Sequence, residues 1–168
     1  MKKSLASKLS LTAAVLMLVG SASGAFAAGG NLQAVKATRV VSPVVKLVAH
    51  ATGAEESTSS NAKMGGAPTG FADATFRLDR KTNRLCYSVT TYGLTGVVAG
   101  HIHKGAKGVD GGVSVALNAA RFNHGTTCLA VAAALITDIS KNPKMYYFNV
   151  HSKVYSDGAA RGQLMASK

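Results

Sequence analysis

The stretch FADATFRLDRKTNRLCYSVTT, residues 71–91, decides the architecture. Ala72, Ala74, Phe76 and Leu78 fall on one side of an extended chain, and Asp73, Thr75 and Arg77 on the other. That period of two marks a half-buried strand. After a polar turn over Asp79 to Asn83, Leu85, Tyr87, Val89 and Thr91 repeat the alternation, so the two halves read as a hairpin.

Working outward, Val44 to Ala51 reads as a first strand, followed by a polar loop from Gly53 to Thr69. Downstream, Val97 to His103, Val113 to Leu117 and Thr127 to Val131 are short strands separated by Gly-rich turns. A short helix is expected between Ala132 and Asn142, with Leu135, Ile136 and Ile139 at helical spacing and Pro143 ending it. Met145 to His151 returns to strand, with Tyr146, Phe148 and Val150 on one face and Tyr147, Asn149 and His151 on the other. A last strand covers Arg161 to Met165. Short strands at regular spacing with hardly any helix predict an all-β fold, an antiparallel Greek-key β-sandwich or small barrel with one short helix near 132–142.

The N-terminus reads as a cleavable export signal over residues 1–27. Lys2, Lys3 and Lys8 precede an apolar run from Leu9 to Val19, and Ala25-Phe26-Ala27 forms an A-x-A cleavage site. The apolar run is shorter than the ~20 residues that span a bilayer. Residues 28–43 read as a flexible segment and 44–168 as one β domain, secreted or otherwise extracytoplasmic, in the periplasm or at the cell surface. No transmembrane segment is expected in the mature chain. Two cysteines, Cys86 and Cys128, enter an oxidising compartment, where one intramolecular disulfide is the natural pairing and two buried thiols the alternative.

The full chain carries +12 and the signal removes three Lys and no acid, leaving 12 − 3 = +9. That charge suits anionic partners such as surface polymers or lipid head groups, and equally a solvated surface, because the basic residues are scattered. No zinc-finger, helix-turn-helix or RNP-like pattern accompanies them, so nucleic acid is not expected. Signatures of other enzymes, G-x-S-x-G, G-x-x-x-x-G-K-[ST], H-E-x-x-H and the EF-hand loop, do not occur. The Lys104 to Gly112 run lacks the Lys-Ser/Thr ending of a phosphate loop and reads as a flexible β-turn loop.

Taken in order, Gly53-Ala54-Glu55-Glu56, Thr69-Gly70-Phe71 through Leu78-Asp79, Leu85-Cys86-Tyr87, Gly93-Leu94, Gly100-His101-Ile102-His103-Lys104-Gly105 with Gly108 to Gly112, Tyr147-Phe148-Asn149-Val150-His151 and Arg161-Gly162-Gln163-Leu164 form a set. That set resembles the CHRD domain family, named for the repeats of chordin, over about Val48 to Leu164. The resemblance implies a single-domain secreted protein of a family with no agreed biochemical activity. Two departures stand out: Gly112-Val113 replaces the family's usual Gly-Pro-Val, and Ser156 to Ala160 replaces Pro-x-Gly-Glu-Ile.

A second similarity is to copper,zinc superoxide dismutases, whose sandwich has a His-x-His strand, a later Val-His and an Arg beyond a Gly-containing loop. Here these correspond to His101 and His103, Val150-His151, and Arg161. Residues i and i+2 of a strand share a face, so His101 and His103 with His151 from a neighbouring strand can converge on one ion. Three imidazoles suit copper or zinc, and the similarity makes Arg161 a candidate guide for an anion. Taken singly, a strand histidine is ordinarily a surface or hydrogen-bonded core residue. His50 and His124 have no partner motif and read as structural or exposed; the latter is the one candidate fourth ligand. No further His and Asp cluster supplies a zinc site. Two functions follow: a secreted binding or structural module of unknown ligand with a three-histidine copper site, or a copper-dependent, dismutase-like redox enzyme.

Overall fold

The computed structural model describes residues 42–56 and 65–168. The expected signal over 1–27, and the flexible segment up to residue 41, lie outside the described residues. The elements are β1 (Val44–Thr52), β2 (Phe71–Asp79), β3 (Arg84–Tyr92), β4 (Val97–Lys104), β5 (Val113–Leu117), β6 (Thr127–Ala130), α1 (Ala133–Lys141), β7 (Tyr146–Ser152), β8 (Ala160–Gln163) and β9 (Met165–Ala166). Every strand pairing is antiparallel. The all-β expectation is therefore met, and α1 lies inside the predicted 132–142 window.

The strands form one sheet in the order β5-β4-β7-β8-β1-β2-β3-β6, with β9 also paired to β1. The links β3 to β4, β5 to β6 and β6 to β7 each cross between its two halves. The sheet curls so that these halves face one another. Phe76 of β2 meets Phe148 of β7 edge-on at 5.8 Å, and Phe122 bridges Phe148 at 6.3 Å and Tyr87 of β3 at 6.4 Å. Ala72, Ala74, Phe76 and Leu78 are buried as the alternation requires, while Asp73, Thr75 and Arg77 are exposed. Ile136 and Ile139 of α1 are buried in the same core.

Asp138 of α1 fastens the helix to the sheet. It accepts from Lys104 Nζ at 2.8 Å, the Tyr146 hydroxyl at 2.6 Å and Asn142 Nδ2 at 2.7 Å, and these donors hold its carboxyl well below the usual carboxylate range. Cys86 and Cys128 sit opposite each other on β3 and β6 and form the disulfide. The C-terminal strand differs from its expected form: Leu164 separates β8, paired mainly with β7, from β9, paired with β1. Its amide donates instead to the Tyr146 carbonyl at 2.9 Å, which satisfies the backbone where the chain changes partner.

Candidate metal centre

Alternation on β4 and β7 generates the site. Gly100 and Ile102 face the core, so His101 and His103 face outward from β4; Phe148 and Val150 face the core, so Tyr147, Asn149 and His151 face outward from β7. The register places His101 opposite Asn149 and His103 opposite Tyr147. One nitrogen from each of His101, His103 and His151 lies within 4.8 Å of the others. The expected convergence of these three residues is present, on the outer face of the sheet rather than in the core.

Backbone carbonyls fix two of the tautomers. His103 Nδ1 meets the Gly111 carbonyl at 2.9 Å and His151 Nδ1 meets the Ser156 carbonyl at 2.8 Å. A carbonyl only accepts, so each Nδ1 carries the proton and each Nε2 presents a lone pair, the arrangement usual in metal-binding histidines. His151 Nε2 and His101 Nδ1 are buried without any hydrogen-bond partner. Burial, reinforced by the charges of His151 and His103, pushes the His101 pKa down against the raising effect of a hydrogen bond to Asn149. Burial lowers that of His103 as well, against the raising effect of its bonds to Gly111 and Asn149. Two buried ring nitrogens without partners, His101 Nδ1 and His151 Nε2, beside His103 fit a cation such as Cu(II) or Zn(II).

The loop between β4 and β5 covers this face, and it is pinned where a flexible turn was expected. Arg161, only 2 % exposed, donates to Asp110 Oδ1 at 3.0 Å and to the carbonyls of Ala106 at 3.0 Å and Val109 at 2.8 Å. Its guanidinium lies 3.5 Å from the centroid of Tyr147, whose other face stacks on His103 at 4.8 Å. Gly111 approaches β4 so closely that a Cβ there would fall 1.6 Å from the Lys104 carbonyl oxygen, a contact no other residue tolerates. Arg161, read from sequence as an anion guide, thus serves as the buried tie of the covering loop. Beside it, burial raises the Glu56 carboxyl to about 7, opposed by the charge of Arg161.

The CHRD domain model matches residues 47–164. The chain belongs to the CHRD family. No curated protein and no solved structure gives a significant match. In this CHRD domain the three histidines form the one cluster of potential metal ligands found among the described residues. His50 instead donates from Nδ1 to exposed Asp73 at 2.6 Å, and His124 is exposed and takes no part in the cluster. Asn149, Tyr147 and Gly111 join the site without having been singled out from sequence as site residues; the alternation on β7, which put Tyr147 and Asn149 on the face of His151, pointed to two of them. Among the described residues no helix is long and apolar enough to cross a membrane.

Proposed function

We propose that this CHRD domain is an exported binding or structural module that holds a single metal ion, preferentially Cu(II), between His101, His103 and His151. The observation that carries the reading is the pair of buried, unpartnered ring nitrogens, His101 Nδ1 and His151 Nε2, beside His103. Three imidazoles follow the Irving–Williams preference for Cu(II) over Zn(II). The dismutase alternative loses support from the commitment of Arg161 to the loop, which takes away the guide for an anionic substrate.

Titration of residues 28–168 with Cu(II), followed by electron paramagnetic resonance, is expected to show one bound equivalent. His101→Ala, His103→Ala and His151→Ala should each weaken it at least ~10-fold. Equal weak binding by all four proteins would end the reading. The ligands must be neutral, so the ion should be retained at pH 7 and released as pH falls below ~6.5, the unperturbed histidine value; the depressed values of His101 and His103 shift release downward, not upward.

The partner we expect is anionic, a surface polymer or lipid head group. Exposed Lys46 and Arg77 border an outer-face groove of about 270 Å³ that also carries Thr75, Ser88 and Thr126. Exposed charges are screened beyond ~8 Å at physiological ionic strength. Retention on anionic vesicles or acidic polymer should therefore fall steeply with salt and further in Lys46→Glu/Arg77→Glu; retention insensitive to both would remove the partner from the reading.

A further inference from the structure

Asn149 is 4 % exposed and stands between His101 on β4 and Arg161 on β8 in the sheet register. Its Oδ1 lies 3.0 Å from His103 Nε2. With Oδ1 toward the ring that contact does not balance as an ordinary hydrogen bond; it balances only with the amide turned so that Nδ2 donates. The Gly111 carbonyl holds the proton on Nδ1 of the same ring, so Nε2 and Oδ1 face each other as two acceptors. A cation between the two atoms resolves the conflict directly. Donors about 2.0–2.1 Å from one ion and about 90–110° apart lie about 2.9–3.4 Å from each other.

Resting on the metal reading above, we infer that Asn149 Oδ1 is the fourth ligand and closes the centre as a His₃Asn site with no exchangeable position. In zinc proteins, tetrahedral sites filled by four protein donors are structural, whereas catalytic sites keep one position for water or substrate. The covering loop supports closure, because Arg161 and His103 tie it down over the same face. The ion would then brace β4, β7 and the loop as part of the fold, and small anions would not reach it. An amide oxygen is also a harder donor than thiolate or thioether, which biases the site toward Cu(II) and away from Cu(I).

Azide is the probe, added to Cu(II)-loaded wild type, Asn149→Ala and Asn149→Asp, with circular dichroism establishing that each is folded. Wild type is expected to give no azide-to-copper charge-transfer band. Asn149→Ala should give one, because its truncation frees a position, and should bind Cu(II) at least ~10-fold more weakly. Asn149→Asp, whose side chain offers only oxygens and cannot turn a nitrogen toward His103, should remain closed, bind at least as tightly and shift the resonance spectrum. A band of equal strength in wild type and Asn149→Ala would overturn closure while leaving the three-histidine site intact. An amide that merely hydrogen-bonds His103 through Nδ2 predicts unchanged azide behaviour and weaker binding in Asn149→Asp, and that pattern also overturns the inference. Failure of wild type to bind Cu(II) at all would remove the metal reading with it.

Discussion

Phe148→Ala is expected to destabilise the domain by about 3–5 kcal/mol, the range for truncating a fully buried aromatic residue. Phe148 meets an aromatic ring from each of two other parts of the core, Phe76 on β2 and Phe122 on the segment after β5. Its removal leaves a cavity where the two halves of the curled sheet meet, so the surrounding strands cannot collapse without losing register. A fall in the thermal midpoint of roughly 10–20 °C should accompany it. Since Phe148 adjoins Asn149 and precedes His151 on β7, the variant should also bind Cu(II) less tightly while folded. A midpoint within about 3 °C of wild type, roughly the effect of a surface change, would show that the halves are not held together at this point.

Opening the disulfide is the second large effect. Cys86 and Cys128 are 42 positions apart, and closing such a loop restricts the unfolded chain by about 4 kcal/mol on the entropic model. Among the described residues β6 pairs only with β3, at the edge of the sheet, and it is four residues long, so little else there holds it. In Cys86→Ala/Cys128→Ala the urea midpoint should drop accordingly, and amide exchange should rise first in β6. Reduction of the wild type should reproduce both changes. Coincident denaturation curves for oxidised and reduced protein would show that the bond adds nothing beyond the sheet pairing.

Local pattern carried the sequence reading as far as local physics extends. On β2, β3 and β7 one face packs against the core and the other meets solvent or the covering loop, so alternation survives in the sequence. His101 and His103 were legible for the same reason, since i and i+2 share a face. What escaped were destinations set by distant residues. Arg161 looks like any strand arginine until its partners 51 to 55 positions upstream are known. Glu56 sits in a run of small and polar residues that reads as loop, and nothing in that run reveals that Gly158 and Arg161 enclose its carboxyl. Asn149 occupied the face of His151 all along, but an amide on a strand has no signature apart from the ring it meets. The division of the last strand at Leu164 depends on which neighbour each half finds, which alternation does not encode.

The pairing of β8 with β1, and the tie from Arg161 back to the loop after β4, bear on the order in which the molecule comes into being. Sheets built from such distant segments fold slowly, on the scale of milliseconds to seconds, because each closure is entropically unfavourable until the next contact rewards it. A nascent chain that has reached only β4 offers an ion the His101–His103 pair and no more. His151 and Asn149 arrive with β7, and the loop is tied down only once β8 has docked. If the centre holds an ion as proposed, completion of the tertiary structure is therefore the step that would commit it, and the ion acquired would be the one available in the compartment where folding finishes.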